Sequence, residues 1–323
     1  MLSRTAENLF WMARSMERAE NTARMLDVSF RMSLLPSTVD KQVLHFEPIL
    51  DIAPGYGRRF QELYDELNHE TVIRYVALEP QNGGSIWSLI RQARENARAQ
   101  RTAISSEAWE SLNATWLAVQ NLDFEGLKRW GYRDFFDWVK ERSHLFRGVV
   151  FGTMLHDDAF RFIRLGTFIE RADNTARILD VKYHVLLPRG EEVGGLIDYY
   201  QWAALLRSVG AFRAYRNVYR DTIYPWRIAE LLVLREDMPR SLHHCYAVLI
   251  GTLDELAGKK QLECRRLAGQ TYAGLKYGRI DRIFRSGLHE FLTTFIEHNN
   301  LLGLQIQEDF LMIPAAVPVV GAA

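Results

Sequence analysis

Arg14, Glu17, Arg18, Asn21 and Arg24 recur at spacings of three and four residues. On a helix turning about 100° per residue they share one sector, so an acid, an amide and several guanidiniums face the same way. Such a set can do one of three things. It can bind a carboxylate or phosphate through charge-assisted forks. It can use Glu17 as a desolvated general base. Or it can close on itself as a buried ion-pair network. The set returns at Glu170, Arg171, Asn174 and Arg177, with Thr167 in the place of Arg14.

The recurrence is close. Residues 17–28 and 170–181 are identical at 10 of 12 positions, and the two exceptions exchange Glu20 for Asp173 and Met25 for Ile178. Exposed polar positions tolerate exchange, so two otherwise diverged copies should have swapped Arg for Lys or Asn for Ser. Specific geometry is the better reading, and two geometries remain open. In one, Glu17 and Glu170 exchange ion pairs with Arg171, Arg177, Arg18 and Arg24. In the other, these groups line a polar cavity and hold a ligand, with Arg14 at its negative end. Either would freeze residue identity, because a buried polar network must be nearly fully satisfied. Asp27 and Asp180 lie at the margin of the apolar stripe and would need partners if buried.

Other candidates are weaker. Arg91, Arg94, Arg98 and Arg101 surround Glu95 on one helical face, an arrangement able to fork an anion or simply to face solvent. Arg207, Arg213, Arg216 and Arg220, with Tyr215 and Tyr219, could extend such a surface. Asp237-Met-Pro-Arg240-Ser241 opens a helix, where free N–H groups suit an anion but a cap is the simpler reading. The nine histidines form no metal-binding motif, and His243-His244 diverge by about 100°. There is no nucleophile elbow, phosphate loop or dinucleotide fingerprint.

These residues need a scaffold, and the chain reads as helix almost throughout. Leu9, Met12, Met16, Ala19, Ala23, Leu26 and Phe30 form one apolar stripe, with Ser3 as a candidate N-cap. The second copy begins behind Asp157-Asp158, and both copies close with Leu-Leu-Pro, at 34–36 and 186–188. No segment alternates with a period of two between hairpin turns. At an offset of 156, residues 78–85 lie over 234–241 and 134–141 over 290–297. The reading is all-α, one helical domain over 1–312 built from two divergent repeats, about 1–150 and 154–310, related by a pseudo-twofold. Helices with one apolar stripe bury it against neighbours, and no linker-like segment separates the halves. Residues 313–323 form an apolar tail.

Composition narrows the setting. Formal net charge is zero, so no overall field draws the chain to nucleic acid or an anionic membrane. Arg outnumbers Lys 33 to 7, and Arg suits bidentate recognition. Cys245 and Cys264 make no disulfide framework. No apolar run reaches the roughly 20 residues that span a bilayer, and the first residues lack a signal-peptide core. A cytoplasmic protein without metal or cofactor is expected.

Glu17-Arg-Ala-Glu-Asn-Thr-Ala-Arg-Met-Leu-Asp27, Leu165-Gly-Thr-Phe-Ile-Glu-Arg-Ala-Asp-Asn-Thr-Ala-Arg-Ile-Leu-Asp180, Ala93-Arg-Glu-Asn-Ala-Arg98 and Pro239-Arg-Ser241 together resemble the bacterial alpha-E domain family over essentially the whole chain. The resemblance implies an all-helical protein whose recurring glutamates are Glu17 and Glu170. It also implies a setting beside ATP-grasp peptide ligases and transglutaminase-like proteins, where a small peptide is made or modified. Three functions follow as expectations. The first is an accessory partner of an ATP-grasp ligase, holding a carboxylate-bearing or phosphorylated peptide or amino acid in a groove of Arg14, Arg18, Asn21, Arg24, Arg171, Asn174, Arg177, Arg94, Arg98 and Arg240. The second is an enzyme of amide chemistry with Glu17 or Glu170 as base. The third is a structural assembly protein with the motifs as glue.

Overall fold

Leu9, Met12, Met16, Ala19, Ala23 and Leu26, the stripe expected from spacing, are all essentially inaccessible to solvent in the computed structural model. The structure describes residues 2–33, 49–50, 56–184 and 195–311. The tail 313–323 and both Leu-Leu-Pro segments lie outside the described residues.

The stripe belongs to α1 (Ser3–Ser33), at 31 residues the longest helix among the described residues and about 46 Å long at 1.5 Å per residue. Ser3 lies inside its first turn, because the carbonyl of Leu2 already accepts from Ala6 N–H at 3.1 Å. Six helices follow: α2 (Tyr56–Leu63), α3 (His69–Ala77), α4 (Ile86–Ala99), α5 (Ser106–Val119), α6 (Phe124–Trp130) and α7 (Tyr132–Thr153). The second motif lies on α8 (Asp158–His184), whose start is capped by Asp157, its Oδ1 accepting from Ala159 N–H at 2.9 Å. The rest are α9 (Leu196–Ser208), α10 (Phe212–Tyr219), α11 (Pro225–Val233), α12 (Leu242–Ala257), α13 (Glu263–Lys276), α14 (Ile280–Ser286) and α15 (Leu288–Ile306), ending in a π-turn at Gln307–Leu311. The fold is all-α, with no strand among the described residues.

The series repeats itself. The starts of α2, α3, α4, α6 and α7 each lie 156 residues before those of α10, α11, α12, α14 and α15, and α5 precedes α13 by 157. Local chemistry repeats with them. Ser85 and Ser241 cap α4 and α12, each hydroxyl accepting from the backbone N–H three residues on. Gly131 and Gly287, at φ 95° and 93°, turn the chain into α7 and α15, a conformation that favours glycine.

α1 packs most extensively along α8. At their crossing a Cβ added to Gly166 would sit 2.3 Å from the carbonyl oxygen of Phe10 and 3.1 Å from Cβ of Ala13. Ala13 and Gly166 occupy matched positions, 153 residues apart. Small residues there let two backbones nearly touch, which brings the polar faces of both motif helices within ion-pair reach. The apolar core falls into two clusters. One gathers Leu9, Met12 and Met16 with α8 and α11 to α15; the other gathers Ala19, Ala23 and Leu26 with α3, α4, α6 and α7. The first half of α1 thus serves one cluster and its second half the other.

Candidate functional site

Glu17 and Glu170 follow from that crossing. Arg171 Nε donates to Glu17 Oε1 at 2.9 Å and its Nη2 to Oε2 at 3.0 Å. In reciprocal fashion Arg18 forks onto Glu170, with Nη2 to Oε2 at 2.8 Å. The glutamate of each helix therefore holds the arginine of the other. Each glutamate takes one further strong partner, and the two differ. Arg147, from α7, donates to Glu17 Oε2 at 2.7 Å. Arg14, from α1 itself, donates to Glu170 Oε2 at 3.0 Å. The exchange has a cause in the repeat: Thr167 stands where the second copy would have Arg14, and Gly303 where it would have Arg147. Thr167 bonds its own helix at Ile163 O, and the missing side chain at Gly303 leaves room near Arg14.

A second layer surrounds Glu20, which is fully buried. It accepts from Arg24, Arg147 and Arg240 and lies 3.4 Å from His144 Nε2. Arg240 also donates to Asn21 Oδ1 at 3.1 Å, and Arg24 reaches the carbonyl of Ser208 at 2.8 Å. Asp173, the match of Glu20, is forked by Arg177, at 2.6 and 3.3 Å, as its one partner among the described residues. Asp27 is bound by Arg31 and Lys140 at 2.8 and 2.9 Å, and Asp180 by His289 Nδ1 at 2.6 Å, so both marginal acids have partners.

These contacts set the charge states. Burial pushes the carboxyls of Glu17 and Glu20 up, but the guanidiniums of Arg171 and Arg147 around one and Arg240 beside the other outweigh it and hold both low. For Glu170 burial is likewise overcome, by Arg18 and Arg14, and the carboxyl falls to about 2. Asp173 goes the other way: burial outweighs Arg177 and raises it. Burial also pushes the Cys245 thiol up to about 12, leaving it inert as a nucleophile at neutral pH.

Against the network lies a cavity of about 260 Å³, lined by Arg14, Arg18, Asn21, Thr22, Met25, Ile49, Val76, Gly83, Gly84, Glu170, Asp173, Asn174, Arg177 and Asn300. Two of its lining residues carry the most telling atoms of the site. The amide nitrogens Nδ2 of Asn21 and of Asn174, at matched positions, are fully buried and have no hydrogen-bond partner among the described residues. Such donors are rare in folded proteins and call for an acceptor. For Asn21 the assignment is firm, because its Oδ1 already accepts from Arg240. Two larger clefts exist, of about 510 Å³ between α13 and α15 and about 670 Å³ around Thr5 and Thr153, but neither is lined by motif residues. Residue chemistry, not size, singles out the smaller one.

The Alpha-E family model, described as a predicted alpha-helical domain with a conserved ER motif, matches residues 1–311. The chain belongs to the Alpha-E family. The Glu-Arg dipeptides of its two motif copies are 17–18 and 170–171, and in this Alpha-E chain they cross-pair, glutamate of one with arginine of the other. No curated protein and no solved structure matches the chain.

The structure brings together most of the residues expected from spacing. Arg14, Arg18, Asn21, Asn174 and Arg177 line the cavity with Glu170; Glu17, Arg24, Arg171 and Arg240 form the network beside it. Arg24 and Arg177 pair within their own helices and not across to Glu170 and Glu17. Arg94 and Arg98 are not brought to the site. They bind Glu95, and Arg94 also binds Asn113 and lies over Trp109, because their face of α4 points away from α1 and α8. Arg207, Arg213, Arg216 and Arg220 are exposed. Nor do Glu17 and Glu170 suit the role of general base: carboxylates held low by guanidiniums are weak bases at neutral pH. Among the described residues no cluster of His, Cys, Asp and Glu is arranged to hold a metal, and no helix is long and apolar enough to cross a membrane.

Spacing missed Arg147, Glu20, Asp173 and His144. Glu20 and Asp173 were the one acidic exchange within the repeat, a legible hint that a carboxylate was needed in both. Arg147 left no trace, since its matched position is Gly303.

Proposed function

We propose that this Alpha-E chain is a helical binding module, one body over 1–312, that holds a carboxylate-bearing amino acid or short peptide in the cavity between the motif helices. The reading rests on the paired amide nitrogens of Asn21 and Asn174, buried donors without acceptors beside Arg14 and Arg18. A ligand carboxylate would satisfy such a donor, and charge-assisted bonds to arginine would strengthen its hold. At about 260 Å³ the cavity lies below the ~300–1,000 Å³ of drug-sized sites and suits one or two residues. In the setting of an ATP-grasp ligase, which activates carboxylates, the module acts as an accessory partner that presents or receives such a ligand, with a transglutaminase-like protein as a second partner. The cross-paired glutamates and arginines then serve as the rigid floor of the site, not as its chemistry, which speaks against the alternative of an enzyme of amide chemistry with Glu17 or Glu170 as base.

Thermal denaturation with L-amino acids and dipeptides, compared with their C-terminal amides, tests the reading. Ligands with a free carboxylate should stabilise the protein by about 2.7 kcal/mol at a hundredfold excess over Kd. The amides, and the Asn21→Ala/Asn174→Ala variant, should show no such effect. Equal stabilisation by acids and amides, or none by either, would refute it. Co-purification with an ATP-grasp protein tests the partnership separately.

A further inference from the structure

The cavity has a filled counterpart. Arg240 lies just before the Ser241 cap of α12, and its backbone carbonyl accepts from Thr175 Oγ1 on α8 at 2.8 Å. Its side chain crosses to α1, where the guanidinium binds Glu20, Asn21 Oδ1 and Glu17. The matched position before the Ser85 cap of α4 is Gly84, 156 residues earlier. The matches of Glu20 and Asn21 are Asp173 and Asn174, and that of Thr175 is Thr22. Gly84, Asp173, Asn174 and Thr22 all line the cavity. The empty space therefore lies where the first half of the chain lacks the guanidinium that the second half supplies to itself. Ala13 against Gly166 and the reciprocal Glu17–Arg171 and Glu170–Arg18 pairs are contacts of self-complementary type, as an approximate twofold between the halves would generate.

We propose that the cavity recognises a guanidinium, that of free arginine or of an arginine residue at the C-terminus of a short peptide. Its guanidinium would lie on Asp173 and Asn174 Oδ1, as Arg240 lies on Glu20 and Asn21, and its carboxylate would run toward Arg14 and Asn21 Nδ2. The inference rests on the proposed binding function and names its ligand class. Three observations support it. Among the described residues Asp173 has one directly bonded cation, Arg177, with Arg18 acting at longer range, where Glu20 has three arginines and a histidine, so Asp173 is the less fully paired of the two acids. Burial holds that carboxyl high, the state an incoming cation would reverse. And the ligand must be bipolar, since the lining carries both signs: Arg14, Arg18 and Arg177 against Glu170 and Asp173.

Titration calorimetry of the full chain with L-arginine, citrulline and norleucine tests the ligand class, with Gly84→Arg and Asp173→Asn as variants. Arginine should bind at least tenfold more tightly than citrulline, its neutral isostere, a difference of about 1.4 kcal/mol. Gly84 is not among the glycines with positive φ, so its backbone conformation does not itself bar a side chain. Gly84→Arg should fill the cavity as Arg240 fills its counterpart, raising the melting temperature and abolishing arginine binding. Asp173→Asn should erase the preference over citrulline. Equal binding of all three amino acids would overturn the guanidinium assignment while leaving the carboxylate site intact; no binding of any would remove both. Arginine binding that survives Gly84→Arg would also overturn it.

Discussion

Arg171→Met tests whether the cross-paired dipeptides hold α1 to α8. Arg171 is 7% exposed and forks both oxygens of Glu17, which is itself 1% exposed. Breaking a buried pair by removing one partner costs about 3–5 kcal/mol, because a charge is stranded. Glu17 keeps Arg147 and Arg240, so the lower end applies, about 3 kcal/mol. At about 1.5 °C per kcal/mol for a chain of this size the melting temperature should fall by about 4–5 °C. Urea denaturation of Arg171→Met, Glu17→Gln and the double variant would give the pairwise term, expected near 2 kcal/mol. Arg98→Met is the control: its side chain is 61% exposed and bound to Glu95, so the change should stay within about 0.5 kcal/mol. A loss at Arg171 no larger than at Arg98, or strict additivity with Glu17→Gln, would refute the clamp.

The Glu170 carboxyl is held at about 2 against an ordinary 4.5, a depressed value. Its ion pairs therefore add stability that is present above about pH 4.5 and lost as pH falls toward 2, on the order of 3 kcal/mol. Glu170→Gln should flatten the stability curve across that window; parallel curves for the two proteins would count against the assignment. Gly166→Ala should destabilise by about 1–3 kcal/mol or more, since its Cβ meets backbone 2.3 Å away. Gly152→Ala, where nothing lies within 4 Å, should be neutral or slightly stabilising in the same melt.

Much of this molecule is legible in one dimension, for a definite reason. Helical periodicity is local, so the stripe from Leu9 to Leu26 announces α1, and the retained Glu, Arg, Asn and Asp of the two copies announce a shared polar face. Internal repetition extends that reach, because matched residues such as Ser85 and Ser241 expose the same cap twice. What the chain conceals is everything carried by an unmatched residue. Arg147 and Arg240 come from helices far away in sequence, and their matches are Gly303 and Gly84, which carry no side chain to betray a role. Arg94 and Arg98 share the composition of the motif arginines and differ only in which way α4 faces. Spacing left network and ligand cavity as alternatives; packing forms the network and leaves a space beside it. The near-contact of Ala13 with Gly166 draws the glutamates and arginines into mutual pairs, and a glycine at position 84, where the matched residue is Arg240, lines the space beside them. Residue identity determined that charge would be held between the helices; only the tertiary fold decided which charges are satisfied and which still face a space.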